Sequence, residues 1–241
     1  MTRNYDAVFF DAANTLLYPY PSVGAVYAGV AARYGVTTTA DAVQAAFRRS
    51  WGEAQSTDGP VRYGVTEPDG RRFWHALVHA TFSQIAVPED FETFFEELYQ
   101  LFSEPDVWRL YPECLPVLRA LAQQGYVVGV ISNWDIRLQN LLHGLGLMSC
   151  LQHVSISAVI GWEKPHGRIF AHALAAVGVA PARAVHVGDS LHADVEGARQ
   201  AGMQPLWLRR NGEPRGNAVV ADDEVITDLN GVVDWLARRD A

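Results

Sequence analysis

The sequence predicts an α/β protein: a doubly wound, mostly parallel sheet with a helical insertion after its first strand. Three observations predict it. Ala7–Phe10 is an unbroken apolar run, the pattern of a strand buried on both faces. After Pro112, short apolar runs alternate with segments of helical period, as βαβ units require. Between these regions, residues 22–102 carry helical patterns and no convincing buried strand.

The first strand covers residues 5–10 and ends at Asp11. Leu17-Tyr18-Pro19-Tyr20-Pro21 then breaks regular structure with two prolines and reads as a hinge. Ser22 is placed to cap a helix over 23–34 that stops near Gly35. Thr39 or Asp41 opens a second helix running through Trp51, and the polar stretch 56–64 is a loop. A third helix covers 69–84 and a fourth 90–102, where Phe91, Phe94, Phe95 and Leu98 form an apolar stripe. Ser103-Glu104-Pro105-Asp106 is the return hinge. The expected division is therefore 1–17 with 106–241 for the sheet-bearing part, and 18–105 for the insertion. In the second region, helices over 116–124, 136–145, 168–177, 194–201 and 229–238 alternate with strands. Those strands cover 126–131, 184–187, 204–208 and 224–226, with one more inside 153–160.

The chain has 241 residues, enough for one large or two modest domains with a buried core. Its net charge is -8 and no basic cluster is present, which argues against nucleic acid or an anionic membrane surface as partner. No apolar run approaches the length of a membrane span, and the N-terminus runs straight into the first strand without room for a signal peptide. A cytoplasmic protein is expected. Cys114 and Cys150 lack metal-ligand spacing and read as reduced packing residues. The chain contains one lysine, Lys164, against eighteen arginines. Lysine is a compact point charge where arginine is a wide fork, so its single use is suggestive of a site.

Candidate site residues gather at strand ends. Asp11 and Thr15 follow the first strand; Ser132 and Asn133 end the strand over 126–131. Lys164 sits in Glu163-Lys164-Pro165. Asp189 and Asp194 follow the strand over 184–187 in Gly188-Asp189-Ser190-Leu191-His192-Ala193-Asp194. In open α/β sheets, sites form beyond the carboxyl ends of the strands. This ordered set resembles the four motifs of the haloacid dehalogenase superfamily over nearly the whole chain. The resemblance implies a Rossmann-like core with an inserted α-helical cap domain that screens the site from water. It implies Asp11 as nucleophile, Thr15 and Ser132 hydrogen-bonding the transferring group or orienting Asp11, Asn133 adding an amide at the same strand end, and Lys164 neutralising charge. It also implies Mg²⁺ bound by Asp11, Asp189, Asp194 and the backbone carbonyl of Ala13.

Ala13 is the departure from that pattern: phosphatases of the superfamily carry a second aspartate at this position. The superfamily's phosphonatases have alanine there but use a cap lysine, and residues 18–105 contain none. Its 2-haloacid dehalogenases also lack that aspartate, yet typically lack the Gly-Asp-Ser-x-x-x-Asp motif that is intact here. The closest subgroup is the one resembling hydrolases of the HDHD type, in which this position varies. The expected function is a Mg²⁺-dependent hydrolase acting on a small phosphate ester through an aspartyl-phosphate, with weakened acid and base catalysis. A 2-haloacid dehalogenase and a binding or regulatory protein without turnover remain as alternatives. His192 could supply the missing proton, although a spectator role is favoured. His166 reads as an exposed loop residue. His75 and His79, four apart, read as packing or surface residues. Trp134 is the aromatic expected to face the pocket, and the other rings of the insertion are expected in its core.

Overall fold

A computed structural model of the chain describes residues 3–55, 62–210 and 220–240. The expected loop over 56–64 therefore lies outside the described residues except for its end, 62–64.

Six strands form one parallel sheet: β1 (Ala7–Phe10), β4 (Val127–Ser132), β5 (His153–Ile156), β6 (Ala184–Gly188), β7 (Gln204–Leu208) and β8 (Val225–Ile226). Their spatial order is β5-β4-β1-β6-β7-β8, so β1 lies inside the sheet with β4 and β6 as parallel neighbours. Alternation along β1 sends its side chains to two cores. Val8 and Phe10 pack with α5 (Cys114–Gln123), α6 (Leu138–Gly144) and α10 (Asn230–Asp240). Ala7 and Phe9 pack with α8 (Gly167–Val177) and α9 (Gly197–Gln200). Helices thus cover both faces, which is why these strands are apolar throughout rather than alternating. A short helix, α7 (Ser157–Ile160), follows β5 directly. No helix among the described residues is long and apolar enough to cross a membrane.

Four helices form a second unit: α1 (Val23–Arg33), α2 (Ala40–Gln55), α3 (Glu67–Phe82) and α4 (Phe91–Leu101). They share their own apolar cluster, which includes Tyr27, Val43, Phe82 and Phe94. The two connections to the sheet are not irregular hinges. β2 (Leu17–Pro19) and β3 (Trp108–Leu110) pair antiparallel, so both crossings run side by side. Pro19 is tolerated because an isolated two-stranded ribbon does not require every N–H.

Other differences from expectation lie at helix starts, where capping decides. α3 begins at Glu67 because the Thr66 hydroxyl accepts from Asp69 N, making Thr66 the N-cap. The helix expected from Asp194 starts earlier, as a π-helical turn over Leu191–Glu196 that continues into α9. Here Ser190 is the cap, its Oγ accepting from Ala193 N at 3.1 Å. His166 is not a bare loop residue either; it caps α8, accepting from Arg168 N.

Gly129 shows how tightly the sheet is packed. A Cβ built there would lie 2.7 Å from the Phe9 ring and 3.0 Å from the His153 carbonyl oxygen. Overpacking a filled core costs typically about 1–3 kcal/mol. Gly129→Ala should lower unfolding stability by about that much in denaturant titrations; an unchanged midpoint would mean the strand can shift to make room.

Candidate active site

Three adjacent parallel strands deliver the site. Asp11 follows β1, Ser132 ends β4, and Asp189 follows β6, so strand parallelism alone places them at one sheet edge. Lys164 enters from the loop after α7. Asp194 returns from the π-helical turn.

The contacts are direct. Lys164 Nζ donates to Asp11 Oδ1 at 2.8 Å and to Asp194 Oδ1 at 2.5 Å. Ser132 Oγ donates to Asp11 Oδ1 at 2.9 Å. One oxygen of Asp11 is therefore held by two donors, while Oδ2 has no partner among the described residues. Asp194 has both oxygens engaged: Oδ1 also faces His186 Nε2 at 2.8 Å, and Oδ2 accepts from Ser190 N at 3.0 Å. Asp11, Asp189 and Asp194 each offer a carboxylate oxygen within 4.8 Å of the others.

Burial sets the electrostatics. It raises the Asp11 carboxyl above its ordinary range, although Lys164 pulls the other way. Asp189 is pushed up to about 7, first by burial and then by the charges of Asp11 and Asp194. For Asp194, burial is outweighed by Lys164 and by the hydrogen bond from His186, which hold it well below the usual range. Burial would likewise lower Lys164, but its two carboxylate partners win and raise it. Burial keeps His186 neutral, so its Nε2–H donates to Asp194 and its buried Nδ1 is left without a partner.

Three carboxyl groups crowd around one ammonium, and their mutual repulsion helps hold Asp11 and Asp189 above the ordinary carboxylate range. The all-oxygen donor set of Asp11, Asp189 and Asp194, with Asp189 only partly buried, fits a hard divalent cation. The Thr15 hydroxyl is also buried without a hydrogen-bond partner, as expected of a group that meets a ligand.

Each expected residue has a definite place. Thr15 lies in the loop after β1, where Asn14 takes the left-handed conformation (φ 57°) and supports Asp189 by a side-chain hydrogen bond. Asn133 does not present its amide freely to the site. Its Nδ2 donates to Lys164 O at 2.8 Å and its Oδ1 accepts from Lys164 N at 2.6 Å, so it clamps the backbone of the lysine loop. Ala13 lines the cavity and offers no side-chain acid there. His192 pairs with Glu196 at the rim. His75 and His79 pack against Phe91 in the four-helix unit. Trp134 lines the cavity as expected.

Several contributors carry no signal in the sequence. Arg210 holds the motif loop after β1, donating to the carbonyls of Asn14 (3.2 Å) and Thr15 (2.7 Å) while paired with Glu113. Trp207 Nε1 donates to the Asp189 carbonyl at 2.9 Å. The site opens into a cavity of about 1110 Å³ that reaches into the four-helix unit. Polar contacts join that unit to the sheet edge that carries these residues, among them Arg137 Nη1 donating to Tyr99 O at 3.0 Å. Arg62 binds Glu163 through its backbone N–H (3.1 Å) and guanidinium (3.2 Å), and Trp74 Nε1 donates to Asp135 Oδ2 at 2.6 Å.

Comparison with known proteins is consistent along the chain. The family described as haloacid dehalogenase-like hydrolase matches residues 5–202. The mouse haloacid dehalogenase-like hydrolase domain-containing protein 3 is 35% identical over 238 residues, covering 96% of this chain and 94% of its own length. A glyceraldehyde 3-phosphate phosphatase of Methanopyrus kandleri is 38% identical over 135 residues, 53% of this chain and 58% of that protein. Among solved structures, the L-2-haloacid dehalogenase of Xanthobacter autotrophicus with chloropropionic acid covalently bound aligns with a TM-score of 0.70. It covers 98% of this chain and 100% of that one at 20% identity, a likeness of fold alone.

Lys164 can be tested through stability. Removing one partner of a buried ion pair costs about 3–5 kcal/mol, because the other charge is stranded. Lys164→Ala should lose about that much at pH 7 in metal-free buffer. Without the ammonium, the folded-state values of Asp11 and Asp194 lie above their unfolded ones, so the penalty is present at high pH and fades as acid protonates them. Unfolding measured from pH 7 down to pH 4 should show the gap to wild type narrowing; a constant gap would assign Lys164 a packing role only.

Proposed function

The chain belongs to the haloacid dehalogenase-like hydrolases, and from that premise we propose a phosphatase that uses Mg²⁺ and acts on a small phosphate ester through Asp11. The observation that carries this reading is the cluster of Asp11, Asp189 and Asp194, in which three carboxyl groups share a single lysine. A haloacid brings its own carboxylate and a leaving group that needs no metal, so a site crowded with acids and short of positive charge would disfavour it. A phosphate ester arriving with a divalent cation meets the opposite situation. The similarity to the Methanopyrus phosphatase supports the same reading.

Mg²⁺ would be held by Asp11, Asp189 and the Ala13 carbonyl, with Asp194 beside them, and would neutralise charge on the phosphoryl oxygens. Asp11 Oδ2 is the free oxygen and attacks phosphorus, giving an aspartyl-phosphate and releasing the alcohol. Ser132 and Lys164 keep Oδ1 fixed, so Oδ2 is presented without a search of rotamers. Thr15 Oγ1, free of protein partners, is available to a phosphoryl oxygen. Lys164 stabilises the charge that develops there. Water then cleaves the acyl phosphate and restores Asp11. The four-helix unit acts as the cap that limits bulk water during both steps.

The weak point is proton transfer. No carboxylate occupies position 13 to protonate the leaving oxygen or to activate the second-step water. His192 stands at the rim, turned to Glu196. A positioned acid or base contributes on the order of 10²–10⁴-fold. Wild type should therefore favour leaving groups that depart unprotonated, and Ala13→Asp should raise kcat most on alkyl phosphates. Rates should be read on paired aryl and alkyl phosphates; equal rates in wild type together with no gain in the variant would show that another group already supplies the proton.

Metal use is tested separately. Asp189→Asn should weaken Mg²⁺ binding by calorimetry and raise the Mg²⁺ needed for phosphate release. Chloride release from a 2-haloacid without added metal would replace the phosphatase reading with a dehalogenase.

A further inference from the structure

The cavity beyond Asp11 has a wall unlike the rest of the four-helix unit. Four rings that line it are nearly parallel in sequence along the wall. Phe47 and Trp51 have centroids 6.0 Å apart with planes 16° apart; Trp51 and Trp74, 5.9 Å and 19°; Trp74 and Tyr63, 5.8 Å and 17°. Near-parallel pairs also occur in the core of the unit, as between Tyr27 and Phe82 at 20°, so it is their place along the cavity that sets these four rings apart. Rings that line a cavity offer π surface to a ligand.

The wall is held in register with the chemistry. Trp74 is fixed by its hydrogen bond to Asp135, on the loop that follows Ser132. Tyr63 is adjacent to Arg62, whose two contacts to Glu163 tie it beside Lys164. Tyr27 and Tyr63 line the same cavity, and neither hydroxyl has a hydrogen-bond partner among the described residues. Each phenol can therefore donate to or accept from polar atoms of a ligand.

We infer that the substrate is an aryl phosphate: a phosphate ester of a planar aromatic alcohol, its ring lying against Trp51, Trp74 and Tyr63 and its ring substituents meeting the two tyrosine hydroxyls. This rests on the phosphatase reading and specifies its substrate class. The ester chemistry agrees with the ring recognition. A phenol ionises near pH ~10, as tyrosine does, so a phenolate leaves without the proton that position 13 no longer supplies. Attack by Asp11 forms the P–O bond to the carboxylate, breaks the P–O(aryl) bond and releases phenolate, which takes its proton from water.

Ring recognition can be read with and without turnover. Phenylphosphonate and methylphosphonate differ only in the ring and are not hydrolysed. In Mg²⁺ buffer, calorimetry on the wild-type chain should show phenylphosphonate binding about tenfold tighter or better, the scale of one aromatic contact. Equal affinity would overturn the inference and leave the phosphatase reading standing. In turnover, kcat/KM for 1-naphthyl phosphate is compared with that for acetyl phosphate, which also loses its leaving group unprotonated but has no ring. Trp51→Leu should lower the naphthyl-to-acetyl ratio about tenfold, mainly through KM, and Trp51→Phe should restore most of it. An unchanged ratio in Trp51→Leu, or wild-type preference for glycerol phosphate over naphthyl phosphate, would also overturn it. Absence of phosphate release from every ester alongside tight phenylphosphonate binding would remove the phosphatase reading and keep the ring site.

Discussion

Three acidic side chains and one ammonium meet where water barely reaches. The Lys164 side chain is 2% exposed, as is that of Asp194, and Asp11 is 12% exposed. Burying charge costs several kcal/mol per ion unless pairing and hydrogen bonds compensate. The surroundings are arranged as that compensation. Lys164 bridges Asp11 and Asp194; Ser132 adds a donor to one, and His186 and the Ser190 N–H add donors to the other. What remains is a shortage of positive charge around Asp11 and Asp189, which crowding holds above the ordinary carboxylate range. An all-oxygen cluster short of positive charge fits a divalent cation.

The fold serves that cluster at three levels. Parallel pairing of β4, β1 and β6 brings Ser132, Asp11 and Asp189 to one edge. Close approach does the finer placement. A Cβ on Gly188 would fall 2.1 Å from Asp194 Cγ, so only glycine lets that carboxylate lie against the end of β6 and reach Lys164. Arg210 and Trp207 then fix the backbone of the two loops that carry Thr15 and Asp189. The four-helix unit is joined by a paired ribbon and by the Arg62–Glu163 and Trp74–Asp135 contacts, and its aromatic wall lines the same cavity as Asp11.

Much of this was legible in the chain because buried parallel strands write themselves as continuous apolar runs. Ala7–Phe10 and Ala184–Gly188 could be placed, and with them the acids at their ends. Helix boundaries were less legible, since Thr66, Ser190 and His166 act through single capping hydrogen bonds that many Ser, Thr and His residues could make. The partner of Asn133 was not legible for a related reason: a strand-end amide can face a ligand or the backbone, and only the loop geometry at Lys164 decides. Arg210, His186 and the Trp74–Asp135 bond join residues far apart in sequence, so no local pattern announces them. The aromatic wall was legible as rings at helical spacing but not as a wall. Helical period says which residues share a face, not whether that face meets a core or a cavity.

The account stands or falls on whether Asp11 forms a covalent bond to phosphorus. With no acid at position 13, hydrolysis of the acyl phosphate should be the slow step and the intermediate should accumulate. The direct measurement is rapid acid quench of enzyme, Mg²⁺ and an excess of aryl phosphate, followed by peptide mass analysis. The account predicts one phosphoryl group on the peptide containing Asp11, lost when the quenched protein is treated with hydroxylamine, as acyl phosphates are. Phenol release without a burst, with that peptide unmodified throughout, or a phosphoryl group on any other residue, would contradict it.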